Sequence, residues 1–184
     1  MKKALSIFSL LAIVFLMGGW VPQAYAASSG NVTVTVTIQN LSVSLSGTSW
    51  PIGTLSAGQV VPMTSGQKIT VTNDGNVAES FTLRITNPAG WTAGSAAGSD
   101  TYVMQGLLVG STDAPVTADF LAEDVLTTAP QTASTTIFNY AGSSADGASV
   151  PATSARSLWL QFSAPLATTV TTPQSIVITV GATP

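Results

Sequence analysis

Histidine and cysteine are absent from all 184 residues. Without imidazole the chain has no ordinary general base near neutral pH, and without a thiol it has no thiolate nucleophile. The usual zinc and iron ligands go with them. No disulfide can staple the chain and no lipidated cysteine can tether it, so stability rests on packing and sheet hydrogen bonds. A serine–lysine dyad would have to use Lys68, which falls on the polar side of an alternating stretch. This inventory reads as a protein that is not an enzyme and that requires no cofactor.

Charge is also scarce. Charged residues make up 7% of the chain, against about 25% in an ordinary soluble protein. Both lysines nearest the start, Lys2 and Lys3, precede an apolar run over 4–17; Gly18, Gly19 and Pro22 follow, then Ala24-Tyr25-Ala26. A positive n-region, an apolar h-region and an A-x-A site describe a secretory signal peptide, 1–26. The apolar run falls short of the ~20 residues that span a bilayer, so the processed protein is expected not to be membrane-spanning. The expected location is secreted: periplasm, cell surface or extracellular space. Residues 27–184 then form a single domain with three cations, Lys68, Arg84 and Arg156, against eight acids, a net charge of −5. Three scattered cations give no electrostatic footprint for nucleic acid or anionic lipid.

What remains is alternation. Val32, Val34, Val36 and Ile38 alternate with Thr33, Thr35 and Thr37. The parity slips at Gln39-Asn40, where Leu41, Val43 and Leu45 take over, which calls for a bulge or a change of sheet. Ile69 and Val71 alternate before Asn73-Asp74-Gly75-Asn76; Phe81, Leu83 and Ile85 alternate after it. This reads as two antiparallel strands around a turn in which Gly75 takes a positive φ. Buried or alternating stretches recur at 102–109, 135–140, 156–163 and 174–180, with a short edge segment at 59–63 limited by Pro62. One helical turn fits near Phe120–Leu126 by spacing alone. Eight or nine short strands with almost no helical period predict an all-β antiparallel sandwich.

Asn73-Asp74-Gly75-Asn76, then Phe81-x-Leu83-x-Ile85 and Pro88-Ala89-Gly90-Trp91, resembles secreted bacterial immunoglobulin-like modules of the alpha-galactosidase-associated and surface-protein type. Val150-Pro151, Leu158-x-Leu160-x-Phe162-x-x-Pro165 and Ile176-x-Ile178-x-Val180 continue the pattern in order. The Asn-x-Gly turn is also similar to that of TasA- and camelysin-type matrix-fibre proteins. The resemblance implies an immunoglobulin-like sandwich with a long insertion at 93–147. The fold hosts many functions and fixes none.

Three candidate sites follow from residue types. Asp113, Asp119, Glu123 and Asp124 fall within twelve residues, and oxygen ligands on a loop suit calcium. Their spacing matches no calcium-loop signature, so they read as solvated acids and helix caps, with no metal expected. Trp91, at a turn, and Trp159, opposite an apolar face, are candidates for a sugar-stacking platform, although sandwich aromatics more often fill a core. Val32, Val34, Val36 and Ile38 form an uncharged strand free of proline and glycine. Either it is the first strand of its own sandwich, the ordinary arrangement, or it pairs with another subunit by strand exchange. The function expected is therefore a non-catalytic structural or interaction protein of the cell surface or extracellular matrix, whose partners are other surface proteins or copies of itself. The alternative is a stand-alone carbohydrate-binding module with polysaccharide as partner.

Overall fold

Ala155–Ser163 carries Leu158, Leu160 and Phe162 on one side and Trp159 and Gln161 on the other. In the computed structural model, which describes residues 31–110, 113–141 and 146–184, this strand is the spine of the larger of two sheets. The strands in chain order are β1 Val43–Ser46, β2 Val60–Pro62, β3 Ile69–Asn73, β4 Ser80–Thr86, β5 Thr92–Ala93, β6 Thr101–Val109, β7 Gln131–Thr132, β8 Ala155–Ser163 and β9 Val177–Thr183. The larger sheet runs β1-β3-β8-β6-β5, with β2 also on β8; the smaller runs β7-β4-β9. All ladders are antiparallel except the two-residue β5–β6 pair, which is parallel. This is the all-β sandwich that the alternation predicts. The expected signal peptide, 1–26, lies outside the described residues. No helix among the described residues is long and apolar enough to cross a membrane.

Register explains the core. Leu158 stands opposite Leu108, Leu160 opposite Gly106 and Phe162 opposite Met104. Leu83 of β4 reaches the same layer: a Cβ on Gly106 would lie 3.4 Å from Leu83 Cδ1, 3.5 Å from Leu160 Cδ2 and 2.9 Å from Leu126 Cδ1. Gly106 is therefore a place where three leucines converge on the backbone. Phe81, Leu83 and Ile85 of β4 are all buried with them. The stretch 93–147 supplies β6 to the middle of the larger sheet and then closes its edge: Leu126 N donates to the Met104 carbonyl (2.8 Å) and Leu108 N to the Phe138 carbonyl (3.0 Å).

Four local expectations change. Residues 73–76 do not turn a hairpin, because β3 and β4 lie in different sheets; the chain crosses from one layer to the other there. Gly75 does not have a positive φ, which among the described glycines is found at Gly47, Gly53 and Gly58. Residues 135–140 form turns around one isolated bridge at Asn139, not a strand, and two single 3-10 turns, Thr117–Asp119 and Ala122–Asp124, stand where one helical turn is expected.

Residues from Ile38 onward form one compact unit, and 31–37 are the described part of a separate one. In 31–37 there is no strand, and every residue is exposed.

Candidate functional site

The smaller sheet ends at β9. One side of β9 is bonded to β4 along its whole length, from Val177↔Thr86 to Thr183↔Ser80; among the described residues its other side has no strand partner. Ile176, Ile178 and Val180 are only partly buried and pack on the core. Facing them, Trp50, Ile52 and Leu55 come from the segment after β1 and are also partly buried. Between these two walls lies a groove of about 970 Å³, floored by Ile69, Met104, Leu158, Leu160 and Phe162. Among the described residues no Asp, Glu, Lys or Arg lines it. The sequence shows the wall residues as strand or core-capping positions; that they stand apart is visible only once β3 and β4 are seen to part.

Val32, Val34, Val36 and Ile38 are 88%, 78%, 76% and 76% exposed. Exposed apolar side chains in unbroken alternation are unusual for a soluble surface. No ladder among the described residues includes them.

Downstream of this arm the chain is held by the crossing at 73–76. Asn76 grips it twice: the Asn40 N–H donates to Asn76 Oδ1 (2.8 Å), and Asn76 Nδ2 donates to the Ile38 carbonyl (2.9 Å). The Asn76 N–H donates to the Asn40 carbonyl (3.1 Å) and the Asp74 N–H to the Ser42 carbonyl (2.8 Å). Asn73 braces the crossing from within: its Nδ2 donates to the carbonyls of Val77 and Val150, and its Oδ1 accepts from the Gly75 N–H. Glu79, fully buried, accepts from the Ser42 N–H (3.3 Å) through Oε2, while Oε1 has no partner among the described residues. Burial, with Asp74 nearby, pushes its carboxyl above the usual carboxylate range. The parity slip at Gln39-Asn40 is thus a junction with a clasp on it, rather than a bulge within one strand. The sequence offers Asn73-Asp74-Gly75-Asn76 as a turn signal only, so this second use goes unread.

The two tryptophan candidates separate. Trp159 is 1% exposed and its Nε1 has no partner among the described residues; it has no free face for a sugar and belongs to the core. Trp91 is partly buried at the rim of the groove. Its ring stacks on Phe162 at 6.2 Å and 22°, and tilts against Tyr102 at 6.4 Å. Its Nε1 donates to Thr168 Oγ1 (2.9 Å), whose own hydroxyl donates to Asp100 Oδ1 (2.7 Å). Those bonds, with the Thr169 N–H and hydroxyl, hold the Asp100 carboxyl below its ordinary range. Tyr102 donates to Asn87 Oδ1, and burial pushes its phenol up to about 12.

The acidic cluster does not converge. Asp119 Oδ2 accepts the Val116 N–H (2.7 Å), closing one 3-10 turn. Asp124 is fully buried and accepts the Leu121 N–H through Oδ2 and the Phe138 N–H through Oδ1. Burial pushes its carboxyl up to about 6, against the pull of those two donors. Glu123 and Asp113 are exposed. Among the described residues no three acidic side chains are placed to hold a metal ion.

No protein-family model matches the chain, and no curated protein matches it.

Proposed function

We propose that this chain is a secreted, non-catalytic structural protein of the cell surface or extracellular matrix that joins copies of itself by strand exchange, with residues 32–38 of one copy lying along β9 of the next. The observation that carries this is a match within one chain. An uncharged seven-residue alternating arm has no ladder. A seven-residue edge strand, β9, has one open side above an apolar groove with no charged lining. Strand addition would give both sets of backbone groups partners and bury Val32, Val34, Val36 and Ile38. At ~1.5–3 kcal/mol per aliphatic side chain that burial contributes roughly 6–12 kcal/mol before ordering costs. The contact is heterologous, donor face to acceptor face, so it propagates a filament instead of closing a dimer. Export rests on Lys2-Lys3, the apolar run and Ala24-Tyr25-Ala26. The immunoglobulin-like and matrix-fibre resemblances agree with a surface role.

The test is deletion of 31–37 from the exported protein, followed by sedimentation and electron microscopy. The parent should form filaments, and the deletion should stay folded and monomeric. A parent that remains monomeric at high concentration defeats the reading.

Trp91 supports a second reading, a stand-alone carbohydrate-binding module, because its indole stands at the rim of the open groove. Retention of the monomeric deletion variant on insoluble polysaccharide, lost in Trp91→Ala, would favour it.

A further inference from the structure

We propose that residues 48–52 are a lid on the groove, hinged at Gly47 and Gly53, which swings outward to admit a strand and closes on it. This deepens the strand-exchange reading, which supplies the occupant, and rests on it.

The stretches that line the groove differ in how they are held. β9 is bonded to β4 along its whole length. The stretch 165–174 is pinned repeatedly. The Pro165 carbonyl accepts the Gly58 N–H, the Leu166 N–H donates to the Gly98 carbonyl, and the Ala167 carbonyl accepts the Asp100 N–H. The Asp100 carboxylate accepts from Thr168 and Thr169, and Gln174 Oε1 accepts the Gly90 N–H (3.0 Å). The stretch 47–55 has no such ties: neither its backbone nor its side chains hydrogen-bond to any described residue. Bonding stops at Ser46, whose ladder partner is Thr70. It resumes at Ser56, whose N–H donates to Gln59 Oε1 (3.0 Å) and whose carbonyl accepts the Gln59 N–H (3.1 Å). Packing alone seats this stretch, through the partly buried Trp50, Ile52 and Leu55. No hydrogen bond has to break for it to leave, and backbone held so lightly opens at low free energy.

Two glycines place the hinges. Gly47 (φ 84°) and Gly53 (φ 83°) are both left-handed. A Cβ at Gly53 would meet nothing within 4 Å, and one at Gly47 only the Lys68 carbonyl oxygen at 3.7 Å. Neither residue is locked by its surroundings, and glycine adopts either sign of φ at little cost. Gly58 is also left-handed, but a Cβ there would lie 3.1 Å from Leu166 Cδ2, and its N–H is bonded to Pro165. It belongs to the fixed end. The piece between the hinges carries Trp50, Pro51 and Ile52, all of which line the groove. A few residues at the end of an element that absorb a change in φ are the usual hinges of a closing loop.

The chain contains no cysteine, so spin labels go only where cysteines are introduced. In the full exported chain, Ser49→Cys labels the lid and Ser175→Cys the approach to β9. Ala57→Cys with Ser175→Cys is the control for the fixed end; all three positions are exposed. Pulsed EPR measures the distances in the monomer and in filaments. In the monomer the 49–175 distribution should be broader than the 57–175 distribution and reach longer distances. Adding Gly47→Ala and Gly53→Ala strains the observed φ angles without a clash. It should shift the 49–175 distribution outward and leave the control pair in place. In filaments the 49–175 pair should collapse to its short distance. A 49–175 distribution as narrow as the control, or one that the two alanines leave unmoved, would overturn the lid. A distribution as broad in filaments as in the monomer would overturn its closure on a strand. A parent that never polymerises would defeat strand exchange instead, and the hinged movement is then still decided in the monomer.

Discussion

Gly75 and Asn40 touch backbone to backbone: a Cβ added to Gly75 would run into the Asn40 carbonyl oxygen, with Asn73 Oδ1 at 3.1 Å and Glu79 Oε2 at 3.3 Å beyond it. The glycine is required here by close approach, not by a left-handed φ. Gly75→Ala should therefore destabilise by about 1–3 kcal/mol, the cost of overpacking a fixed site. The damage should fall on residues 38–42. Denaturant midpoints measure the first effect, and amide exchange at Asn40 and Ser42 the second. A midpoint equal to that of the parent would mean that the two backbones can move apart freely.

Asp124 makes stability depend on pH in a definite direction. Its folded carboxyl titrates at about 6 because of burial, whereas an unfolded aspartate titrates near 3.9. Between these values the folded state holds the proton and the unfolded state does not, so stability falls as pH rises through roughly 4 to 6 and then levels off. The full span is up to about 3 kcal/mol. Glu79 is shifted in the same direction and adds to the slope. Asp124→Asn should flatten the part due to Asp124. It should also lower stability by about 1–2 kcal/mol, because an amide can accept from only one of the Leu121 and Phe138 N–H groups through oxygen. Urea midpoints from pH 4 to 7.5 for both proteins give the answer. A parent that gains stability across that range would contradict the burial argument.

The alternating strands were legible because period two leaves its mark in every residue: Ile69 and Val71, Phe81 to Ile85 and Leu158 to Phe162 all bury the side they show in the sequence. Which sheet each strand joins was not legible. Asn73-Asp74-Gly75-Asn76 carries turn chemistry whether the chain folds back on itself or crosses between layers, and only the partners, β8 for β3 and β9 for β4, distinguish the two. Trp159 misled for a related reason. It stands opposite an apolar face, yet the outer side of β8 is buried as well, and one strand cannot report what a distant segment lays over it. The arm was legible as an unbroken alternation of apolar and polar residues. The groove was not, since Trp50, Ile52, Ile176 and Ile178 read as core residues and their separation is a long-range property.

Donor and acceptor should be separable by mutation. Val34 is 78% exposed, so Val34→Asp costs the isolated sandwich nothing in packing. In the exchanged state the same carboxylate would face an uncharged groove with no cation along its lining. Burying an unpaired charge there is prohibitive. Val34→Asp should thus match the parent in folding stability, within about 0.5 kcal/mol, while losing filaments. Its groove remains intact, so it should still accept an arm from another chain. Mixed at low ratio into polymerising parent, Val34→Asp should cap one end and shorten the filaments in proportion to its dose. The deletion of 31–37 should do the same, because it too keeps an acceptor and lacks a donor. A third variant, Ile178→Asp, carries the charge on the acceptor wall and keeps a normal arm, and it should cap the opposite end. Mixing Ile178→Asp with the deletion variant, neither of which polymerises alone, should give a one-to-one dimer and nothing larger. Analytical ultracentrifugation of the mixture decides the matter. Two species that stay monomeric together, when each retains the far-UV spectrum of the parent, would rule out the pairing of this arm with this groove.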